Sequence, residues 1–215
     1  MKKPPMGATM FIRLLWESPL AFVVILFLVT FSVCCHEFMH AFVALKMGDD
    51  TAACRGHLTL NPLKQMGLIS LLMMIFIGIA WGQVPINRAN FRSRAGLVAT
   101  ILAGPLTNLA LWVIFILIHL TAGKLGSRGQ IMFMLEYGAM LNLVLFVFNM
   151  LPVPGLDGFN IISEFFPGLF RRDSEIVKGA YFLLAALLFS CSKWIFGLAF
   201  ALTDGILRAL YGVAA

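Results

Sequence analysis

The sequence predicts an all-α polytopic membrane protein, because 60% of its 215 residues are hydrophobic and only 12% are charged. A soluble domain averages about 45–50% apolar and about 25% charged residues. The mean hydropathy is +0.93, and several apolar runs are long enough to cross a bilayer. These observations exclude a disordered chain, an ordinary cytosolic domain and a nucleic-acid-binding module. The net charge of +6 is explained by basic residues at membrane boundaries, so the lipid bilayer is the expected surrounding.

About five to six hydrophobic segments can be placed, since a spanning helix needs about 20 apolar residues. The candidates for spanning helices are 20–46, 96–120 and 131–151. A further apolar stretch, 178–213, is interrupted by the polar residues 190–193, and we expect a helical hairpin there. The segment 66–82 is at the lower limit for a span and contains three glycines, Gly67, Gly78 and Gly82. It predicts either a short span or a re-entrant loop, and we favour re-entrance.

The residues with the clearest chemical meaning are His36, Glu37 and His40, within the first hydrophobic segment. Histidines at i and i+4 share one face of a helix, so both imidazoles can bind one metal ion. Glu37 stands beside them, where its carboxylate can take a proton from a metal-activated water. Ionisable residues inside a membrane helix cost several kcal/mol unless they have a partner or a function. The pattern therefore predicts a catalytic metal site inside the bilayer.

Catalytic zinc commonly has three protein ligands and a water, so a third ligand is expected. Another acid or histidine at the same membrane depth would serve, and the candidates are Glu136, His119, Asp157 and Asp204. Asp157 ranks first because prolines and glycines break the helix just before it. Irregular backbone at membrane depth is tolerated only where it is buried in protein or lines a cavity.

Several motifs together give the chain a strong resemblance to the site-2 protease family of intramembrane zinc metalloproteases. The resemblance covers most of residues 20–165, which we take as the catalytic core of a single domain, 1–215. No PDZ-like or CBS-like insertion is visible, so the chain resembles a minimal form. The matching segments are HEFMH at 36–40, GHLTLNP at 56–62, VPIN at 84–87, AGPLTN at 103–108, and N-x-x-P followed by L-D-G within 149–158.

The resemblance implies one zinc ion per chain, held by His36, His40 and Asp157. It implies that Glu37 is the general base, and that Asn149 holds the substrate or stabilises the oxyanion. The expected activity is hydrolysis of peptide bonds in or near the transmembrane helix of a membrane-anchored protein, in regulated intramembrane proteolysis. The expected partner is therefore a protein substrate with a transmembrane helix.

Other residues near the motifs are expected to be structural. Gly104 and Asn108 fit a close helix contact and a hydrogen bond between helices. Cys34 and Cys35 point away from the ligand face, so we expect them to fill space in the core. The chain departs from the family where LDGGR is usual, because Phe159 follows L-D-G here. That departure concerns the shape of the loop and leaves the proposed ligands unchanged.

Two other functions are the alternatives to a protease. A metal transporter also places histidines and carboxylates in helices, but it needs a relay of ligands, and His57 and His119 are not in line with the HEFMH pair. A catalytically idle scaffold protein of the same family would not need the intact motif. For localisation, we expect a multi-pass protein of the cell membrane. The positive-inside rule places the loop 152–177, and so the active site, toward the cytoplasm.

Overall fold

The computed structural model describes residues 10–166 and 175–212, and every regular element in these ranges is helical. The chain divides into two compact units, residues 1–96 and 97–215. In chain order the α-helices are α1 (Met10–Glu17), α2 (Pro19–Met47), α3 (Thr51–Cys54), α4 (Pro62–Gln65), α5 (Gly67–Ile77), α6 (Arg94–Lys124), α7 (Gln130–Asn149), α8 (Asp157–Phe165) and α9 (Glu175–Tyr211). A short 3₁₀ helix, Arg88–Asn90, precedes α6.

Four helical stretches in the described part of the chain are long and apolar enough to cross a membrane. They are Pro19–Met47, Arg94–Lys124, Gln130–Asn149 and Ser190–Tyr211. The first three coincide with the predicted segments 20–46, 96–120 and 131–151. The prediction of an all-α polytopic membrane protein is therefore confirmed.

The helical hairpin predicted over 178–213 is wrong, because α9 is one continuous helix of 37 residues. Ser190, Cys191, Ser192 and Lys193 are polar or small, but each keeps its backbone N–H and none has the fixed φ of proline. A hairpin needs a turn, and nothing in this tetrapeptide forces one. At 1.5 Å per residue α9 is about 55 Å long, well beyond the hydrocarbon thickness of about 30 Å.

The segment 66–82 forms a short helix and then returns to its starting point. α5 has 11 residues and so extends about 16 Å, too short to span a bilayer. It ends at Gly78, whose left-handed φ of 83° lets its N–H donate to the carbonyls of Met73 and Met74. The backbone N–H of Gln83 then donates to the carbonyl of Gln65 at 3.1 Å. The spanning alternative is wrong, and the return of the chain is the geometry that re-entrance requires.

In the first unit, part of α2 packs against this returning segment. Buried Val33 and Cys34 form an apolar cluster with Met66 and Met74. The thiol of Cys34 is thus surrounded by apolar side chains, and Cys35 is half-buried. The expectation that Cys34 fills space in the core is confirmed.

In the second unit, buried amides join α6 to α7. The Nδ2 of Asn108 donates to the Oδ1 of Asn142 at 3.1 Å, and both side chains are fully buried. The Nδ2 of Asn142 donates in turn to the carbonyl of Gly138 on its own helix at 2.9 Å. Within a bilayer no water satisfies such groups, so each needs a partner in the protein. The structural role expected for Asn108 is confirmed.

Candidate active site

The HEFMH motif lies in the second half of α2, and its ionisable side chains are buried. His36, Glu37 and His40 are 6%, 7% and 8% exposed. The apolar sequence keeps α2 helical through the motif, so the two imidazoles stand one turn apart on one face. Their Nε2 atoms are 3.0 Å apart, and their rings are nearly perpendicular at 79°. The helix alone therefore brings together the two histidines that the sequence predicted as ligands.

The donor set of this pair fits zinc. Two Nε2 atoms at 3.0 Å repel through their lone pairs unless a proton or a cation lies between them. A tetrahedral zinc with Zn–N distances of about 2.0–2.1 Å places two imidazole nitrogens roughly 3.3 Å apart. A small adjustment of the two rings would therefore accommodate the ion.

Glu37 is packed against the backbone of Gly82, in the non-helical segment 79–87 that follows α5. A Cβ added at Gly82 would overlap the Cγ, Cδ and Oε1 atoms of Glu37. The φ of Gly82 is outside the left-handed region, so the backbone conformation does not require glycine there. The carboxylate of Glu37 occupies the space where a side chain would lie, so a larger residue at this position would force one of the two to shift.

The residues on both sides of Gly82 are held by buried groups. The Oγ of Ser70 accepts a hydrogen bond from the N–H of Trp81 at 2.9 Å and donates to the Trp81 carbonyl at 2.6 Å. The N–H of Gln83 donates to the carbonyl of Gln65. Ser70 and Gln65 are both almost fully buried. The chain is thus fixed immediately before and immediately after the glycine that contacts Glu37.

The fully buried carboxylate of Asp49 holds the end of the segment 79–87 and the 3₁₀ helix that follows it. It accepts hydrogen bonds from the N–H of Asn87 at 2.7 Å, the Nδ2 of Asn90 at 3.0 Å, and both the N–H and hydroxyl of Thr51. Burial raises the pKa of Asp49, but these hydrogen bonds outweigh burial and hold the pKa below its usual value. Asp49 therefore stays ionised near neutral pH.

Asn149 is the last residue of α7. Its Nδ2 donates to the carbonyl of Leu145, one turn earlier in the same helix, at 3.0 Å. That bond uses one of the two N–H groups of the Asn149 amide. The catalytic role implied for Asn149 by the family resemblance remains a prediction.

Asp157 is the first residue of α8 and is half-buried in the second unit. The next residue, Gly158, is buried against the main chain at the end of α7. A Cβ at Gly158 would overlap the carbonyl groups of Met150 and Leu151. Glycine after Asp157 thus allows α8 to begin close against this backbone. The role of Asp157 as third ligand remains a prediction.

Two of the other candidate ligands have partners within the second unit. The carboxylate of Asp204 pairs with Arg208 one turn later, with an Oδ2 to Nε distance of 2.8 Å. The hydroxyl of Tyr211 donates to the carbonyl of His119 at 2.9 Å and lies 3.2 Å from its Nδ1. Glu136 is half-buried on α7.

Sequence reasoning missed the residues that position the segment around Gly82. Asp49, Gln65 and Ser70 are ordinary polar residues in no recognised motif, and Gly82 is one of 19 glycines. A weak signal was present for Ser70 and Gln65, which are polar residues at the edge of or within the apolar segment 66–82. Such residues need hydrogen-bond partners when buried, but the sequence does not say which.

Comparisons with known proteins agree with the motifs. A family model described as Peptidase family M50 matches residues 117–191, which contain Asn149 and Asp157. The provisionally named zinc metalloprotease YwhC of Bacillus subtilis (strain 168) is 36% identical over 182 residues, covering 80% of this chain and 81% of the relative.

A second provisionally named zinc metalloprotease, Rip2 of Mycolicibacterium smegmatis, is 31% identical over 201 residues, covering 86% of this chain and 76% of the relative. Rip2 of Mycobacterium tuberculosis (strain ATCC 25618 / H37Rv) is 31% identical over 185 residues, covering 80% of this chain and 70% of the relative. No solved structure gives a significant match. The resemblance to the site-2 protease family is confirmed, because these relatives match across most of both chains: the chain belongs to Peptidase family M50.

Proposed function

We propose that the protein is a zinc-dependent intramembrane endopeptidase. The observation that carries this proposal is the buried pair His36 and His40 on an apolar helix, with Nε2 atoms 3.0 Å apart and Glu37 beside them. Membership of Peptidase family M50 supports a peptidase. One zinc per chain is proposed, with His36, His40 and Asp157 as ligands.

Glu37 and Asn149 have different roles in the proposed hydrolysis of the peptide bond. When bound, zinc supplies a Lewis acid that polarises the scissile carbonyl and acidifies the attacking water. Glu37 accepts the proton of that water and passes it to the leaving amine. An amide side chain has two N–H donors, and Asn149 uses one on the Leu145 carbonyl. Its second N–H can donate to the developing oxyanion or to the substrate backbone.

The proposed substrates are membrane-anchored proteins with a transmembrane helix, cleaved in or near that helix. A helical substrate must unwind locally, because its carbonyls are engaged in the helix. The unwound strand then needs backbone partners at membrane depth. The non-helical segment 79–87, which contacts Glu37 at Gly82, can supply backbone partners for such a strand. Regulated intramembrane proteolysis is the proposed role, in which the cut releases a cytoplasmic part of the substrate.

The deciding experiment compares wild-type and Glu37→Gln proteins, purified and reconstituted with a single-pass test substrate. We expect zinc at one per chain in both and cleavage by wild type only, because glutamine cannot accept the proton. Glu17→Gln on α1 is the matched control and should cleave normally. Full cleavage by Glu37→Gln would contradict the proposal. Zinc uptake into vesicles without cleavage would indicate a transporter, and neither activity would indicate an idle scaffold.

For localisation, we propose the cell membrane, with the active site toward the cytoplasm. Counting Pro19–Met47 as one span and α5 as re-entrant places the N-terminus outside if the loop 152–177 is cytoplasmic. A single cysteine introduced near the N-terminus of a cysteine-free protein should react with an impermeant reagent from outside intact cells. Reaction only after lysis would contradict this orientation.

A further inference from the structure

We infer that Gly82 is a positioning residue for Glu37, and that Ser70 and Gln65 fix Gly82 in place. This inference rests on the proposed function, because it assigns Glu37 the role of general base. It adds a second part of the chain to the site, since Gly82 lies outside the motif that carries the ionisable residues.

The side chain of Glu37 is in direct contact with Gly82. The atoms that a Cβ at Gly82 would overlap are the end of the Glu37 side chain, its Cγ, Cδ and Oε1. The backbone of Gly82 therefore blocks one side of the carboxylate. A general base must be held within hydrogen-bond reach of the proton it takes, so restricting its rotamers serves the reaction. If the backbone of Gly82 were displaced, the carboxylate could turn into the space that this backbone occupies.

The backbone on both sides of Gly82 is held in place by hydrogen bonds. An unsupported loop would move away from an added side chain, but both neighbours of Gly82 are anchored. Trp81 makes two hydrogen bonds to the buried Ser70 hydroxyl, one through its N–H and one through its carbonyl. Gln83 is bonded to the carbonyl of Gln65, whose own side chain donates to the carbonyls of His57 and Thr59 at 2.8 and 2.6 Å. Gly82 is thus held on both sides.

Replacing Gly82 by alanine should lower turnover without removing zinc. Gly82→Ala forces either the segment 79–87 or the Glu37 carboxylate to move. Because the segment is anchored on both sides of Gly82, we expect the carboxylate to move. A displacement of about 1 Å at a catalytic group can cost about 100-fold in rate. The three nearest atoms that a Cβ at Gly82 would meet all belong to Glu37, so the first effect of the change falls on the proposed general base. Metal binding should therefore survive while turnover falls.

The experiment measures kcat, KM and zinc content for Gly82→Ala, Ser70→Ala and Gly197→Ala. Gly197 in α9 has open space around it, so its alanine variant is the matched control and should behave as wild type. For Gly82→Ala we expect kcat to fall by about 10- to 100-fold, with KM and zinc content unchanged. Ser70→Ala should lower kcat less, and in the metal-free protein it should speed amide hydrogen exchange across 79–87.

The possible outcomes distinguish the positioning role of Gly82 from the proposed function of the protein. If wild type cleaves and Glu37→Gln does not, but Gly82→Ala keeps its kcat, the positioning role is overturned while the proposed function stands. Loss of zinc from Gly82→Ala would also overturn it, because Gly82 would then support the ligands. If Gly82→Ala does not accumulate as folded protein, Ser70→Ala decides: unchanged kcat and unchanged amide exchange would overturn the inference. If zinc-loaded wild type cleaves no test substrate, the proposed function itself fails.

Discussion

The backbone N–H of Asn87 donates a 2.7 Å hydrogen bond to the carboxylate of Asp49, 38 residues earlier in the chain. Asp49 follows the left-handed Gly48 that ends the HEFMH helix. Asn87 ends the non-helical segment 79–87, and its side chain caps the 3₁₀ helix. One buried carboxylate thus ties the end of the motif helix to the end of the segment that packs beside the motif.

Replacing Asp49 by alanine should destabilise the protein. The change removes a buried anion, leaves the N–H of Asn87 without its acceptor and deprives the Asn90 amide of its 3.0 Å hydrogen bond. Hydrogen bonds to charged groups contribute about 1.5–3 kcal/mol, so we expect a loss of at least that size. Denaturation in detergent measures it. Asp50→Ala is the control, because Asp50 is exposed and its side chain does not cap α3. Equal effects of the two variants would contradict the role of Asp49.

The same carboxylate predicts a dependence of stability on pH. The folded protein holds the pKa of Asp49 below its unfolded value, which is near 3.9. The folded state therefore binds the proton less readily, and the stabilisation is complete well above pH 4. It is lost progressively as the pH falls from about 4 through the folded pKa. Thermal melts at pH 3 to 6 should show a smaller acid loss in Asp49→Asn than in wild type. Parallel curves would exclude this contribution.

Metal removal should lower the melting temperature of the wild-type protein. A ligand that binds only the folded state stabilises it by about 4 kcal/mol at 1,000 times its Kd. A chelator should therefore lower the melting temperature, and added zinc should return it to its original value. His40→Ala should bind less zinc and show no such shift, whereas His57→Ala, outside the HEFMH motif, should show it as wild type does. A chelator shift of wild-type size in His40→Ala would argue against the histidine pair as ligands.

The amide pair in the second unit should show measurable coupling. Hydrogen bonds between membrane helices average about 0.6 kcal/mol and reach about 1.7 kcal/mol. We expect Asn108→Leu and Asn142→Leu together to cost less than the sum of the single variants by an amount in this range. A double-mutant cycle of unfolding free energies measures the difference. Strict additivity would mean that the 3.1 Å contact contributes nothing.

Gly158→Ala should weaken zinc binding if Asp157 is the third ligand. The added Cβ meets the main-chain carbonyls of Met150 and Leu151, which cannot move as a flexible side chain can. The start of α8 must therefore shift, and Asp157 shifts with it. We expect at least a tenfold rise in the zinc Kd, by analogy with the loss of groups that orient metal ligands. Gly205→Ala in α9, where space is open, should leave the Kd unchanged. A normal Kd in Gly158→Ala would argue against Asp157 as a ligand.

Errors in the sequence-based expectations came from weak local signals. The residues Ser190, Cys191, Ser192 and Lys193 suggested a turn, yet α9 passes through them. Polarity alone does not end a helix when each residue keeps its backbone N–H and helical φ. The segment 66–82 was ambiguous for a related reason. Its composition allowed a span, and the choice depended on the Gly78 cap and on the bond between Gln83 and Gln65.

The sequence by itself determined the apolar helices, the two histidines on one face of α2, and the family. These depend on composition, on the 3.6-residue period and on motif spacing, all of which are local properties. Only the tertiary structure decided that Gly82 abuts Glu37, that Ser70 and Gln65 hold it, and that Asp49 ties down Asn87. Those relations join residues far apart in the chain, and a buried polar group needs a partner without specifying which one. The partner is selected when the chain folds and only a few donors and acceptors come within reach.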